Sequence, residues 1–553
     1  MTTSFLDSLD AGRLCWDELQ PFPREDPAER EAGDARVAHL VELLAGQLDP
    51  EEVDRIRELP AGLVEALKRH GYFAMSVPPE LGGLGLSPYH VFRLIEGAAG
   101  WSPTAGLLLG LQNTAGAPAL LPALPPGPVR DFVSRRIAER ATSGWADTEP
   151  AGHNNAAPGT TATPTADGTA YLLDGEKLFI GNGSIAELLV VTAVVPDPDR
   201  RRVCVCFVDT SSPGFSVVSN VDFVGFAGLP NGYLRFDGVR VPRDQVFFTA
   251  EDDVRLSPTV AAVAILGRHT MMATPAVAIA RRCLEFSADF VNRRTIDGRP
   301  LGGYDQIQRI VAATLADIFA IESVVAWNLL GCALTDRWFE RYVTKNIATL
   351  AAWRVADRTV SLFGGEGVET PASKRRRGVP ALPVERLFRD ARMLRVAGGV
   401  DFQADHVAGR LLLSRYYGPA QRRPSGTVAD ADPDVARDAD LTPANRDHLR
   451  AAAAEIRRFK QTCLNVVARH HSLPSLLVDE ERLVLLGGLA RELLTMSVVL
   501  ARAASREAED GQVLADVYCV QARHRLDDLW RRLPYGAEPD YAKLSTAYLS
   551  GGS

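Results

Sequence analysis

Several groups of residues in this chain have types and spacings that bear on chemistry. Gly364-Gly-Glu-Gly367 lies between helical patterns, and Arg294 closes another. Glycines let backbone N–H groups come close to a phosphate, and an arginine neutralises its charge. Without further context, a glycine cluster of this kind reads as a turn and such an arginine as a solvated surface charge. Ser373-Lys-Arg-Arg-Arg377 is a basic run that suits the phosphates of a carrier arm or lies solvated at the surface. Cys204-Val-Cys206 puts two thiols on one face of a Val-rich strand. No metal-ligand spacing accompanies that pair or the other five cysteines, so buried reduced thiols are expected and a metal site is not. The ten histidines include no His-Glu-x-x-His, and no Gly-x-Ser-x-Gly elbow is present, which disfavours metallohydrolase and serine-nucleophile chemistry. His470-His471 falls at a helix end, where a surface position is expected.

The elements that must position these residues follow from periodicity. With 553 residues, 46% of them hydrophobic, the chain has material for a large multi-layer body or several packed domains. A formal charge of -8 gives no basic footprint for nucleic acid. No apolar run is expected to be long enough to span a bilayer, and the acidic start, Met1 to Asp10, suggests a cytoplasmic location. Residues 1–36 are Pro- and acid-rich and suggest an extended arm, whereas residues 37–140 carry helical stripes such as Leu40, Leu43, Leu44 and Leu48. Residues 141–250 change to short β-rich runs: Tyr171–Ile180, Leu188–Val195, Val203–Val208 and Tyr233–Phe236. Helical patterns return over 251–418, where a four-helix bundle is the natural packing. The acidic stretch 419–445 reads as a mobile linker, and 446–553 as a further helical domain with helices near 446–471, 479–506 and 511–533.

This order, helical then β then helical, carries a set of strings at its joints. They are Gly71-Tyr-Phe-Ala-Met-Ser-Val-Pro-Pro-Glu-Leu-Gly-Gly-Leu-Gly-Leu86, Thr148-Glu-Pro150, Gly175-Glu-Lys-Leu-Phe-Ile-Gly-Asn-Gly183, Phe236-Asp-Gly-Val-Arg-Val-Pro242, Arg294-Thr-Ile-Asp-Gly298, Phe363-Gly-Gly-Glu-Gly367 and Pro383-Val-Glu-Arg-Leu-Phe-Arg-Asp-Ala391. Together and in sequence, they resemble the acyl-CoA dehydrogenase family. Leu477 to Gly487 and Met496 to Arg502 are similar to the extra helical domain of its very-long-chain members. The resemblance implies an α+β, mainly α fold: an N-terminal helical domain, a middle β-domain, a C-terminal four-helix bundle and an additional C-terminal helical domain. It also implies a homodimer, with membrane attachment not expected because the joining stretch is acidic here.

The resemblance further implies FAD as cofactor. Trp145, Thr148, Phe179 and Gly181 match the residues around the flavin ring, and Arg294, Gln306, Gly364, Gly365 and Gly367 those toward the diphosphate and adenine. His153 and Arg268 fall on the substrate side. Three positions depart from the family pattern. Gly398 stands where the catalytic carboxylate is expected, and the alternative station near Gly267-Arg-His269 is also empty, since no Asp or Glu occurs between Ser257 and Leu284. Gly181 replaces a hydroxyl residue that bonds the flavin, and His153 replaces a serine. Asp401 and His269 are the candidate substitute bases, and the Gly398 N–H remains able to polarise a thioester carbonyl.

Three readings follow. The first is an FAD-dependent oxidoreductase that desaturates an acyl thioester, acyl-CoA or acyl-carrier protein, and passes electrons to an electron-transfer flavoprotein. The second is a flavin oxidase or monooxygenase on the same fold, because losses at Gly181 and Gly398 leave room for oxygen. The third is a non-catalytic acyl-thioester-binding subunit.

Overall fold

Short polar residues followed by proline start four of the eight described helices before the sheet, because the cap side chain accepts a first-turn N–H and proline needs no donor there. The computed structural model describes residues 4–152, 158–196, 202–248, 258–419, 423–430, 435–437, 439–505, 509–533 and 539–549. Ser4 caps α1 (Phe5–Ala11) and Asp26 caps α2 (Pro27–Ala45). α3 (Pro50–Ile56) and α4 (Leu63–Arg69) precede α5 (Pro88–Trp101), capped by Ser87, and α6 (Pro103–Thr114), capped by Ser102. α7 (Ala117–Leu120) and α8 (Pro128–Ala138) lead into the sheet. The expected extended arm is therefore helical in part. Phe5, Leu6 and Leu9 are buried in the C-terminal core, which gives α1 an apolar face to fold against.

The middle of the chain is one sheet of eight strands among the described residues: β1 (Ser143–Ala146), β2 (Thr161–Pro164), β3 (Ala170–Gly181), β4 (Leu188–Val195), β5 (Arg202–Asp209), β6 (Phe215–Asn220), β7 (Asn231–Pro242) and β8 (Val246–Phe248). The order is β6-β7-β3-β2-β4-β5-β8, with β1 parallel to β4. β4 and β5 are buried along nearly their whole length, which is why they read as continuous apolar runs. The β3–β7 ladder shifts register between Lys177 and Ile180, and Phe179 takes a positive φ of 62° inside that bulge.

The second helical region comprises α9 (Pro258–Arg293), α10 (Asp305–Leu329), α11 (Trp338–Phe363), α12 (Gly365–Val368), α13 (Pro371–Arg376), α14 (Val384–Leu394) and α15 (Asp401–Ser414). α9 packs against α5 and α6 on one side and α11, α10 and α14 on the other, so it joins both helical regions. The last part contains α16 (Pro443–Arg469), α17 (Leu473–Leu477), α18 (Glu480–Ala504), α19 (Gly511–Arg532) and α20 (Tyr541–Leu549). It shares one apolar core with α10, α11 and α15. The stretch expected to be a mobile linker is anchored at points, although most of residues 423–430 are exposed: the Ala429 N–H donates to the Ala11 carbonyl at 2.8 Å, and Ala436 and Leu441 are buried.

α18 is enclosed on all sides because two glycines let its backbone touch α15. A side chain at Gly487 would begin 1.9 Å from the Asp405 carbonyl oxygen, and one at Gly409 would begin 2.0 Å from that of Leu483. Gly487→Ala should lower the thermal midpoint by an amount equivalent to about 2 kcal/mol, the scale of overpacking in a tight core. Gly426→Ala, which meets nothing within 4 Å, is the control and should leave the midpoint in place.

Contrary to the sequence expectation, three helices among the described residues are long and apolar enough, by length and composition, to cross a membrane: Thr259–Arg293, Asp305–Leu329 and Glu480–Ala504, with mean hydropathies of 1.3, 1.8 and 1.8. Their apolar windows are 72%, 61% and 94% buried inside the protein, so this apolarity is used mainly for internal packing.

Candidate functional site

The loop after β1 is held by a buried ion pair. Lys177 on β3 is fully buried and its Nζ donates to Glu149 at 2.9 Å and to the Asp147 carbonyl at 3.1 Å. Glu149 also accepts from the Thr160 hydroxyl at 2.6 Å and from the backbone N–H groups of Gly159 and Thr160 at 2.6 and 2.9 Å. Burial pushes the Glu149 carboxyl up, but these four donors outweigh it and leave it below the ordinary range. The Leu178 N–H donates to the Thr148 carbonyl at 2.8 Å, which fixes the loop against β3. Trp145 and Thr148 are thus presented half-buried beside Phe179.

The Phe179 ring is 52% exposed and lies 6.0 Å from that of Phe223. The segment after Phe223 is clamped to α14. Asp390 accepts from the Phe226 N–H at 2.6 Å, and Arg389 holds the Val224 carbonyl at 3.0 Å and Asp54 at 2.8 Å. At Gly181, a side chain would begin 2.5 Å from both terminal methyls of Leu111. The space expected to open for oxygen at Gly181 is thus filled by Leu111 from α6, and the oxidase reading loses that support.

α6 continues the chain of contacts to the second half of the site. Thr114 on α6 donates its hydroxyl to the Gly267 carbonyl at 3.2 Å, and a side chain at Gly267 would begin 1.9 Å from the Thr114 carbonyl oxygen. At Gly267, matched to the alternative carboxylate station, backbone therefore leaves no space for a side chain. On the next residue, the Arg268 Nε donates to the Gly398 carbonyl and Nη1 to that of Tyr342 at 3.3 Å, with the guanidinium 4.5 Å from the Tyr342 ring centre. Gly398 has φ +65°, and a side chain there would begin 3.3 Å from Met272 Cγ and 3.7 Å from Arg268 Cγ. From α11, the fully buried Lys345 donates Nζ to the carbonyls of Gly399 at 2.6 Å and Arg395 at 3.3 Å. Burial, reinforced by the Arg268 charge, pushes the Lys345 ammonium down to about 7.

Both candidate substitute bases are restrained by their surroundings. Asp401 is ion-paired to Arg395 at 2.7 Å and accepts from the Phe402 N–H at 2.8 Å. Burial raises its carboxyl, but Arg395, the Phe402 N–H and Lys345 outweigh that and leave it a weaker base than an ordinary aspartate. His269 is fully buried, 6.1 Å from the Phe92 ring, and neither ring nitrogen has a hydrogen-bond partner among the described residues. Burial, then the charge of Arg341, pushes its pKa down to about 3, so it is neutral and inert at working pH. His269→Leu removes two unsatisfied buried nitrogens. It should leave turnover intact and raise stability by about 1 kcal/mol, measured by denaturant titration beside an activity assay.

The residues matched to the diphosphate and adenine are held together elsewhere. Arg294 lies over the Phe290 ring at 5.6 Å, and Phe290 stacks on Phe363 at 4.2 Å, immediately before Gly364. Gly364 has φ +59° and ψ -132°, a conformation suited to glycine, and side chains at Gly364 or Gly365 would meet nothing within 4 Å. Gly367 instead packs against the Val360 carbonyl, which a side chain would approach to 2.5 Å. Arg294 and Gln306 are exposed, and Arg294 makes no ion pair among the described residues. An exposed guanidinium beside open backbone fits a diphosphate.

The basic run lies at the surface, with Arg375, Arg376 and Arg377 exposed and only Lys374 buried. Arg375 pairs with Glu51, Arg377 pairs with Glu369 at 2.6 Å, and Lys374 is buried with its Nζ on the Leu382 carbonyl. Of the two expectations for this run, these exposed pairings agree with a solvated surface charge run. All seven cysteines are free, with Cys204 and Cys206 buried as expected, and no cluster of three metal-ligating side chains occurs among the described residues. His153 lies outside the described residues. Sequence reasoning missed Lys345, Met272 and Leu111. Lys345 alone left a signal, a cation amid the largely apolar run from Val343 to Ala352.

Known proteins share this arrangement. Residues 35–123, 144–239 and 260–412 match the acyl-CoA dehydrogenase N-terminal, middle and C-terminal domains. The chain is 27% identical to the probable acyl-CoA dehydrogenase FadE10 of Mycobacterium tuberculosis, over 99% of its own length and 88% of the relative's. It is 26% identical to the human very long-chain specific acyl-CoA dehydrogenase, mitochondrial, over 95% and 83% of the two lengths. The fold matches the crystal structure of an acyl-CoA dehydrogenase complexed with FAD from Bacillus anthracis with a TM-score of 0.75, at 17% identity, covering 98% of this chain and 94% of that one.

Proposed function

The chain belongs to the acyl-CoA dehydrogenase family, and within it we propose an FAD-dependent oxidoreductase that acts on an acyl thioester, acyl-CoA or acyl-carrier protein, at the Cα–Cβ bond, with no protein carboxylate at the α-carbon. FAD is its cofactor, and when bound it supplies a two-electron acceptor for the hydrogen leaving Cβ. The observation that carries this reading is the locked Trp145–Glu149 loop linked through Phe223, α14 and α6 to a base station that ends in Gly398.

Trp145, Thr148 and Phe179 would hold the flavin ring, with Leu111 filling the space beside Gly181 and offering no hydrogen bond in place of the missing hydroxyl. Arg294, Gln306, Gly364 and Gly365 would hold the diphosphate and adenine. The Gly398 N–H is the group left to orient and polarise the thioester carbonyl. Arg268 and Lys345 fix the loop that carries it, through the carbonyls of Gly398 and Gly399. Proton removal has no carboxylate at either station, so neutral saturated thioesters should turn over slowly: a positioned base contributes about 10² to 10⁴ in rate. In solution the protein is a homodimer in this reading, with the two cofactor-holding groups facing each other across subunits, and an electron-transfer flavoprotein is its acceptor.

Anaerobic addition of acyl thioesters to the yellow holoprotein tests the reading. Loss of the visible flavin absorbance with at least one thioester is expected. A flavin that is bound and perturbed but never reduced would instead support the non-catalytic thioester-binding subunit, which the two empty stations also favour.

A further inference from the structure

Arg268 borders the vacant base station and Lys345 lies behind its loop, and neither makes an ion pair with a carboxylate among the described residues. Arg268 uses Nε and Nη1 on backbone carbonyls and lies against the Tyr342 ring, while Nη2, with no carboxylate partner among the described residues, lies 3.5 Å from where a Gly399 side chain would begin. Lys345 is likewise bonded only to carbonyls. The two nearest carboxylates are committed elsewhere. Asp401 is taken by Arg395 and the Phe402 N–H, and Asp405 by Arg491 at 3.2 Å and Asn346 at 2.9 Å. A desolvated cation without a counter-charge is costly, and a carboxylate on a guanidinium edge is the strongest ordinary way to offset it.

We propose that Arg268, backed by Lys345, forms an anion subsite at the station Gly398 leaves vacant, so that the substrate is an acyl thioester bearing its own carboxylate a few bonds from the thioester. The carboxylate that relatives of this fold carry on the protein is here brought by the ligand. This inference rests on the thioester reading above and specifies its substrate class. Met272, whose Cγ would be 3.3 Å from a Gly398 side chain, gives this station an apolar wall against which a short chain between the two ends would pack.

The holoprotein is titrated with succinyl-CoA and with butyryl-CoA, similar in chain length and different in charge, while the flavin spectrum is followed. The expected result is at least tenfold tighter binding of succinyl-CoA. In Arg268→Gln the ratio of the two affinities should fall to near one, and in Arg268→Lys it should be partly kept. Equal or weaker binding of succinyl-CoA by the parent protein overturns the proposal, as does a ratio that survives in Arg268→Gln. If Arg268→Gln does not fold, the parent's ratio and that of Arg268→Lys decide. A flavin spectrum that responds to neither thioester, nor to longer acyl-CoAs, sinks the acyl-thioester reading itself.

Discussion

Gly398→Glu should raise turnover of butyryl-CoA with an artificial electron acceptor by about 10²-fold, the lower end of what a positioned general base contributes. The gain is held to that end by three features of the site. The backbone at Gly398 has φ +65°, where a side chain costs roughly 1–2 kcal/mol. The new side chain begins 3.3 Å from Met272 Cγ, which must give by a few tenths of an ångström. Arg268, whose stem lies 3.7 Å away, would pair with the carboxylate and make it a weaker base. The same pairing neutralises the anion subsite, so the variant should lose its preference for succinyl-CoA as it gains activity on the neutral ester. Bound FAD with no gain on butyryl-CoA would contradict the account of a site that lacks only its base.

Lys177→Met carries the largest expected loss of stability, about 3–5 kcal/mol, because it leaves the Glu149 carboxylate buried without its counter-charge. Glu149 would keep Thr160 and the two backbone donors but lose its only cation, and the Asp147 carbonyl would lose its donor. The loop that presents Trp145 and Thr148 should loosen, so FAD should dissociate at lower denaturant concentration than the global transition. Adding Glu149→Gln to Lys177→Met should recover part of the loss, since a neutral amide is easier to leave buried. A Lys177→Met protein within about 1 kcal/mol of the parent would show that the pair is dispensable.

The fold was legible because its signals are local and periodic. Leu188–Val195 and Val203–Val208 read as buried strands and are β4 and β5, and the three helices expected after residue 446 are α16, α18 and α19. What failed depends on distant partners. Residues 1–36 lack a helical stripe of their own, yet α1 forms because Phe5 and Leu9 find a core supplied by residues more than three hundred positions away. The acidic segment around Ala429 looked free because its hydrogen bond to Ala11 has no sequence signature. The basic run Lys374–Arg377 hid its acceptors, since Glu51 lies in another domain and the Leu382 carbonyl is backbone.

The same contrast holds at the site. The absence of a carboxylate at Gly398 and across 258–283 is read directly from residue types. That Gly267 is sterically closed by the Thr114 carbonyl is visible only in the packing. Asp401 and His269 are chemically suitable bases by type. One is tied to Arg395, and the other is sealed beside Phe92 without a partner, conditions that composition does not encode. Lys345 and Arg268 became significant only when their acid neighbours proved to be committed to Arg395, Arg491 and Asn346.

The central claim is that no carboxylate of this protein stands at the α-carbon of a bound thioester. Exchange of the α-hydrogens of butyryl-CoA with deuterium, catalysed by the FAD-loaded protein in heavy water without an electron acceptor, measures that directly. The account predicts no exchange above background in the parent protein and clear exchange in Gly398→Glu. Rapid exchange in the parent would reveal a base at the α-carbon and contradict it.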